Sequence, residues 1–226
     1  MSLKITTGID GLPILMSDGS DVVSLDGFGT VHGGIIEFKK SSDDKTLFTI
    51  NNYSEEQEVV FEGDDTDLNI EFNGVNIKAK LGEGNDNVVW NVSKGSLDTR
   101  GGNDKVITTA SATDNRINLG SGDDTIIENG DFNLITDTVG KSNVTTTSSS
   151  TGAVIITGSG DDTFNLNGNN AYVQAGDGVT RVNTGNGSNG NVVNTGNARS
   201  IPNNLLDIFK NHEWLYEYLK IFLGIK

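Results

Sequence analysis

The chain has 226 residues, a formal charge of −15 and 29 glycines, which is nearly twice the average glycine share of about 7%. It contains no cysteine, so disulfides, thiolate metal sites and cysteine nucleophiles are excluded. The acidity argues against a nucleic-acid partner and suits cations, and no apolar run approaches the ~20 residues of a membrane span.

Residues 1–58 show no repeat. Turn signals at Asp18-Gly-Ser and Asp26-Gly separate short strand-like segments there. The next segment is a repeat array, and an array exposes its first strands to other chains unless they are covered. We therefore expect residues 1–58 to form an irregular, β-rich N-terminal cap.

Residues 59–200 carry an internal repeat. Five glycine-rich segments end at Asp86, Asp104, Asp124, Asp162 and Thr180. The sequence numbers of these anchor positions differ by 18, 20, 38 and 18 in turn, and the long interval equals one short and one intermediate interval together. The alternation therefore predicts a further anchor at Ser142, and it extends to Thr66 and Ser200.

Two apolar columns keep this register, one two residues after each anchor and one seven residues before it. The first column is Leu68, Val88, Val106, Ile126, Val144, Phe164 and Val182. The second is Val59, Ala79, Leu97, Ile117, Ile135, Ile155, Val173 and Val193. This pattern predicts an all-β fold, a parallel β-roll or β-solenoid with two strands per 18–20-residue turn. A left-handed hexapeptide helix would need an aliphatic residue every six positions, and a disordered chain would keep no register.

The two turn lengths differ on one side only. The two extra residues of each longer turn lie on the edge opposite the glycine-rich loops. The unit that repeats in the sequence is therefore a pair of turns, one shorter and one longer.

The loops carry a recognisable motif. Residues 81–88, 119–126 and 157–164 each contain Gly-x-Gly-x-Asp followed two residues later by a large apolar residue. In this the chain resembles the RTX family, whose repeat is Gly-Gly-x-Gly-x-Asp-x-U-x. The resemblance implies a parallel β-roll in which aspartates and loop carbonyls of stacked turns bind Ca²⁺. By this resemblance the candidate ligands are the carboxylates of Asp86, Asp104, Asp124 and Asp162 and the backbone near Gly82, Gly84, Gly102, Gly120, Gly122, Gly158 and Gly160.

The chain also departs from the family. The first family glycine is replaced by Leu81, Thr99, Leu119, Thr157 and Ala175. Only one edge carries the motif, and the aspartate is replaced at Thr66, Ser142, Thr180 and Ser200. Consecutive acidic anchors at Asp86, Asp104 and Asp124 favour metal binding there rather than at Asp162. The alternative is purely structural: Asp and Asn stabilise such turns by bonding backbone groups, and Arg100 or Lys141 could neutralise nearby carboxylates.

The C-terminal residues 201–226 change character. Pro202 and Asn203 predict a helix start and Gly224 a stop. Leu205, Phe209, His212, Leu215, Leu219 and Phe222 recur every third or fourth position. We expect an amphipathic helix that caps the last coil, with an export signal or an oligomer contact as alternatives. His212 and His32 lack ligand spacing and are expected to be structural.

An outward apolar stripe is predicted at Val89, Ile107 and Ile127, with Trp90 nearby. Such a stripe would lie under a cap or form a protein interface, including self-association.

Two functions remain open. The first is a non-enzymatic, calcium-binding β-roll module with a structural or adhesive role, secreted or displayed at the cell surface without an N-terminal signal peptide. The second is a polysaccharide-binding or polysaccharide-modifying β-solenoid. The outward residues Lys78, Lys80, Arg116 and Tyr172 do not converge obviously with acids outside the turns, which weakens this alternative.

Overall fold

The computed structural model describes residues 4–7, 13–25, 29–40, 46–196 and 200–225. Alternating apolar residues in short segments, separated by glycine-rich and asparagine-rich turns, form 19 strands in these ranges. The first three strands are β1 (Lys4–Thr7), β2 (Pro13–Leu25) and β3 (Gly29–Lys40). The other sixteen form two parallel stacks.

Each coil of the chain contributes one strand to each stack. The first sheet contains β4 (Thr46–Asn52), β6 (Asn69–Val75), β8 (Asn87–Ser93), β10 (Lys105–Thr108), β12 (Asp124–Glu128), β14 (Ser142–Thr146), β16 (Thr163–Leu166) and β18 (Arg181–Thr184). The second contains β5 (Val59–Gly63), β7 (Ile77–Lys80), β9 (Ser96–Asp98), β11 (Arg116–Asn118), β13 (Leu134–Thr136), β15 (Val154–Ile156), β17 (Tyr172–Ala175) and β19 (Val192–Thr195). Neighbours in each stack pair in parallel, which confirms the predicted β-solenoid.

The strand register confirms the two alternating intervals between Asp86 and Thr180. Val88 pairs with Val106 across the shorter interval, and Val106 pairs with Ile126 across the longer one. Asp124 pairs with Ser142, as the hidden anchor predicted. The inward column of β8 to β16 is fully buried, so the core is a thin apolar layer between the two sheets.

The extension of the alternation beyond these coils was wrong at both ends. Asn69 pairs with Asn87, so the residue one coil before Asp86 is Leu68, and not Thr66 as predicted. The core position of that coil belongs to Ile70. In the described residues, Ser200 follows strand β19 and precedes α1, without a further strand between them.

The extra residues of the longer coils form turns opposite the glycine-rich loops, as predicted. A backbone hydrogen bond closes the turn in every second coil. The three bonds run from the N–H of Ala112 to the Thr109 carbonyl, from that of Ser150 to Thr147, and from that of Ser188 to Gly185.

The N-terminal end of the solenoid is closed by antiparallel pairing. One half of β3 pairs with β5 (Val31 opposite Phe61) and the other half with β4 (Ile36 opposite Ile50). Strand β2 pairs with the outer edge of β3. The first coil is therefore covered by a long bent strand, and parallel pairing starts at β4, upstream of residue 59.

The C-terminal residues form two helices, α1 (Asn203–Ile208) and α2 (Glu213–Leu223), joined by a 3-10 turn at Phe209–Asn211. The predicted limits are confirmed, because α1 begins after Pro202 and Gly224 ends α2 with φ 68°. The expected single helix is interrupted at His212, whose imidazole pairs with Asp114 at 2.6 Å. In the described residues no helix has the length and apolarity that a membrane span requires.

The expectation that these helices close the last coil was wrong. They lie along the outer surface of the second sheet, where Phe209, Leu215 and Leu219 are fully buried in one cluster with Val154 and Tyr172. The reason is that the second sheet presents apolar residues outward in this part of the chain, and the helices cover that flank. In the last coil, β18 stays exposed, whereas β19 is partly buried.

Candidate functional site

The four predicted aspartates form one buried column. Asp86, Asp104, Asp124 and Asp162 stand at or immediately before the start of β8, β10, β12 and β16, and each is 1–2% exposed. The glycines named with them, Gly82, Gly84, Gly102, Gly120, Gly122, Gly158 and Gly160, lie in the loops that lead into these strands. The structure therefore brings all the predicted ligand positions to one edge of the solenoid, which we call the loop edge.

One carboxylate oxygen of each aspartate accepts a hydrogen bond from a backbone N–H group of the preceding coil. The backbone N–H of Leu68 donates to Oδ1 of Asp86, that of Asp86 to Asp104, and that of Asp104 to Asp124, each at 2.8 Å. The N–H of Ser142 donates to Oδ1 of Asp162 at 3.0 Å. This buried ladder is the structural role expected of Asx side chains in such turns.

The other oxygen divides the column into two groups. In the described part of the chain, no donor reaches the buried Oδ2 atoms of Asp86, Asp104 and Asp124. Oδ2 of Asp162, in contrast, accepts the hydroxyl of Thr157 at 2.5 Å.

The residue five positions before each aspartate explains this difference. At Asp86 and Asp124 that position is Leu81 and Leu119, which have no donor. At Asp104 it is Thr99, whose single hydroxyl proton is donated to the Leu119 carbonyl at 2.7 Å.

Burial makes these three carboxylates expensive to ionise. Desolvation raises the pKa of Asp86 and of Asp124 to about 7 and that of Asp104 to about 6. Neighbouring carboxylates add to the effect, whereas the backbone N–H donors and, for Asp104, the nearby Thr99 hydroxyl offset part of it. A buried carboxylate with one unpartnered oxygen is stabilised when it takes up a proton or binds a cation.

Backbone carbonyls lie beside this column. A Cβ on Gly102 would stand 2.0 Å from the carbonyl oxygen of Gly84, and a Cβ on Gly122 would stand 1.8 Å from that of Gly102. Only glycine fits such a close approach, and both positions also have positive φ. Neither the Gly84 nor the Gly102 carbonyl accepts a hydrogen bond from another described residue.

A second, exposed ladder runs one residue earlier in each loop and was missed from the sequence. The N–H of Asn85 donates to Asp67, that of Asn103 to Asn85 and that of Asp123 to Asn103, at 2.7–2.8 Å. Its polarity is opposite to that of the buried ladder. Lys141 continues it and pairs with exposed Asp123 at 3.5 Å, so this cation compensates the outer ladder. The recurrence of Asp or Asn one position before the anchor was the available signal.

At the opposite edge, asparagine side chains in place of aspartates accept hydrogen bonds from the backbone of the neighbouring coil. The N–H of Gly95 donates to Oδ1 of Asn115 at 2.8 Å, and the N–H of Asn115 donates to Asn133 at 2.9 Å. The side-chain amide of Asn133 donates in turn to the Ala112 carbonyl and to buried Glu128, both at 2.9 Å. Burial raises the pKa of Glu128 to about 7. The sequence motif did not predict this cluster.

The predicted outward stripe exists in part. Val89, Ile107 and Ile127 stack in register on the first sheet and are half-buried. Trp90 points inward and is fully buried. The C-terminal helices lie on the other sheet, so they do not cover the stripe.

A cavity of about 460 Å³ lies where α2 meets the second sheet. Its lining is Lys78, Lys94, Gly95, Ser96, Asp114, Arg116, Asn211, His212, Glu213 and Trp214. Of the four outward residues named from the sequence, Lys78 and Arg116 line this cavity together with Asp114 and Glu213, without an ion pair from Arg116 to either acid among the described residues. Tyr172 is buried beneath the helices. The Arg116 guanidinium lies over the Trp214 ring at 4.7 Å, and His212 stacks on Phe132 at 3.5 Å.

Within the described ranges, no group of three or more His, Asp or Glu side chains is arranged to hold a metal ion by itself. No protein-family model, curated protein or solved structure matches this chain.

Proposed function

We propose that this chain is a non-enzymatic structural or adhesive module of the RTX type, secreted or displayed at the cell surface, whose loop edge binds Ca²⁺ between consecutive coils. The ligands in this proposal are Asp86, Asp104 and Asp124. Asp162 is left out because Thr157 already satisfies its second oxygen.

The observation that carries the proposal is the set of three unpartnered Oδ2 atoms. The backbone ladder needs only one acceptor oxygen per coil, and on the opposite edge Asn115 and Asn133 supply it without a charge. Three successive coils of the loop edge use a carboxylate instead. The ladder therefore does not account for the negative charge or for the second oxygen of these three carboxylates, and calcium binding does.

The spacing of the coils suits a calcium ion. Parallel strands stack about 4.8 Å apart, which is twice the Ca²⁺–oxygen distance of about 2.4 Å. An ion between Asp86 and Asp104, or between Asp104 and Asp124, would contact one Oδ2 from each coil. Carbonyl oxygens such as those of Gly84 and Gly102 are available to extend the shell, as Ca²⁺ takes 6–8 oxygens. When bound, the ion would compensate the buried charges.

Isothermal titration with CaCl₂ at pH 7.5 tests the proposal. We expect saturable binding to the native chain and none to the triple variant Asp86→Asn, Asp104→Asn, Asp124→Asn. Asparagine keeps Oδ1 as the acceptor of the ladder and replaces the charged Oδ2, the proposed calcium ligand, with an uncharged amide NH2 group. Asp162→Asn is the matched control and should bind as the native chain does. Absence of calcium binding by the native chain would overturn the proposal.

The cavity beside α2 favours a second candidate, the binding of acidic saccharides. Its volume is in the range of ligand pockets. Two smaller depressions, of about 290 and 330 Å³, continue from it along the second sheet through Ser96 and Asp98. Among the described residues, neither Lys94 nor Arg116 has a carboxylate within ion-pair distance, whereas Lys78 pairs with Glu58 at 2.7 Å. Free cations beside an aromatic ring suit a carboxylated sugar.

A glycan array containing neutral, uronate and sulfated oligosaccharides tests this candidate. Selective binding of the acidic sugars that Arg116→Gln abolishes is expected, with Arg181→Gln as the distant control. Equal binding of neutral sugars, or binding that survives Arg116→Gln, would contradict it.

A further inference from the structure

The C-terminal end of the solenoid exposes part of its core. All four residues of β18 are exposed, and Val182 is 39% exposed. Its equivalents in the preceding coils, Phe164 and Val144, are fully buried. The change occurs within one coil, because the helices lie on the flank and leave the edge of β18 uncovered.

The edge also exposes backbone polar groups in a defined pattern. The N–H groups of Arg181 and Gly185 point back into the stack, where they donate to the carbonyls of Asp162 and Leu166. Groups of alternate residues in a strand point to opposite sides. The N–H and C=O groups of Val182 and Thr184 therefore point away from the stack, toward whatever meets this edge.

The other end of the molecule restricts what that partner can be. Strand β3 already occupies the edges of β4 and β5 by antiparallel pairing. Head-to-tail stacking of copies, with β18 of one against β4 of the next, would require β3 to leave. A second copy that approaches through its own β18 meets a free edge, and two identical edges can pair only in an antiparallel, two-fold arrangement.

We propose that a second copy of this chain pairs with β18 in antiparallel register about a two-fold axis at Asn183. In this register Val182 faces Thr184 of the second copy, and Thr184 faces Val182 of the second copy. Both pairs are hydrogen-bonded pairs, so the four outward N–H and four outward C=O groups of the two strands are used in four bonds. The inward side chain of Val182 becomes covered by Thr184 of the second copy. The product is a closed dimer rather than a fibre.

The two-fold axis makes a specific cross-linking prediction. Asn183 would face its own copy at a position without backbone hydrogen bonds, where Cα atoms lie about 4.5 Å apart, within the range that a disulfide spans. The side chain of Asn183 points outward and bonds to Asn165, one coil back. Because the chain has no cysteine, a single substitution gives an unambiguous readout.

The test combines sedimentation with cross-linking at about 0.15 M salt, where repulsion between the acidic chains is screened. We expect a dimer for the native chain and a monomer for Val182→Asp. Mild oxidation of Asn183→Cys should give a disulfide-linked dimer, whereas Asn165→Cys, whose strand is paired on both sides, should not. Circular dichroism checks that each variant is folded. A native chain that stays monomeric at every concentration, or a dimer unaffected by Val182→Asp, would overturn the proposal.

Discussion

The two edges of the solenoid hold the same kind of backbone by different side chains. At the edge opposite the loops, Asn133 uses one oxygen for the neighbouring coil and its two N–H groups for the Ala112 carbonyl and Glu128. At the loop edge, Asp104 uses one oxygen for the neighbouring coil, and its second oxygen has no donor. The buried ladder is thus formed at both edges, but a charged side chain is used for it at only one of them. A ladder requires only an acceptor. Among the described residues, the loop edge repeats an unpartnered carboxylate oxygen in three successive coils, whereas at the opposite edge the unpartnered carboxylate oxygen is Oε2 of Glu128.

We expect the largest loss of stability when an asparagine of the opposite edge is replaced with the aspartate that is typical of the loop edge. Asn133→Asp keeps the acceptor but loses both donated hydrogen bonds and adds a carboxylate beside buried Glu128. We expect the free energy of unfolding at pH 7.5 to fall by about 3–5 kcal/mol, measured by urea denaturation. Calcium should not restore it. A neutral effect would mean that the two edges are interchangeable.

Backbone packing should be equally tight at both edges. A Cβ on Gly102 at the loop edge or on Gly130 at the opposite edge would lie 2.0 or 1.9 Å from a carbonyl oxygen of the preceding coil. Gly102→Ala and Gly130→Ala should each destabilise the fold by about 3 kcal/mol, since the coils cannot separate locally. Gly187→Ala is the control: its φ is 91°, but nothing lies within 4 Å, so only the conformational cost of about 1–2 kcal/mol applies. Equal losses at all three glycines would refute the packing argument.

The converse substitution at the loop edge should stabilise the calcium-free protein. Asp104→Asn keeps the ladder acceptor and removes a carboxylate whose pKa burial raises from 3.8 to about 6. In chelator at pH 7.5 the gain should be about 1–3 kcal/mol by urea denaturation. Added calcium should stabilise the native chain more than the variant. Destabilisation by Asp104→Asn in chelator would show that the second oxygen has a structural partner.

Stability should also depend on pH in a defined direction. In chelator the folded pKa values of Asp86 and Asp124, about 7, exceed the ordinary value of 3.8, so the folded state binds more protons between these limits. The free energy of unfolding should therefore fall as the pH rises from about 4.5 to 7.5. Calcium should remove the part of this slope due to its three ligands and leave the parts due to Glu128, whose pKa is about 7, and Asp137, whose pKa burial also raises. A rise with pH in chelator would contradict the raised pKa values.

The repeat and the core of the solenoid could be predicted from the sequence because strand stacking enforces a constant interval between equivalent residues. That is why Ser142 was found without an acidic side chain. The intervals at the two ends could not be predicted, since the first coil meets an antiparallel cap and Ser200 leads into a helix. The place of the helices depended on Leu134, Val154 and Tyr172, three outward residues outside the inward columns.

The candidate site was predictable only in part. The motif located the aspartates, but which second oxygens lack a partner depends on whether Thr157 or Leu81 stands five residues earlier, and on the direction in which the Thr99 hydroxyl points. A single sequence gives the residue types at these positions, but it does not show which acceptor each hydroxyl donates to. The amide ladder of Asn115 and Asn133 had no family motif to draw attention to it.

The most direct test of the account is a crystal structure grown with millimolar CaCl₂. We predict electron density between the coils of Asp86, Asp104 and Asp124, at about 2.3–2.6 Å from their Oδ2 atoms, and none beside Asp162. The same three carboxylates without an ion between them, in a calcium-saturated crystal, would contradict the proposal that the loop edge binds calcium.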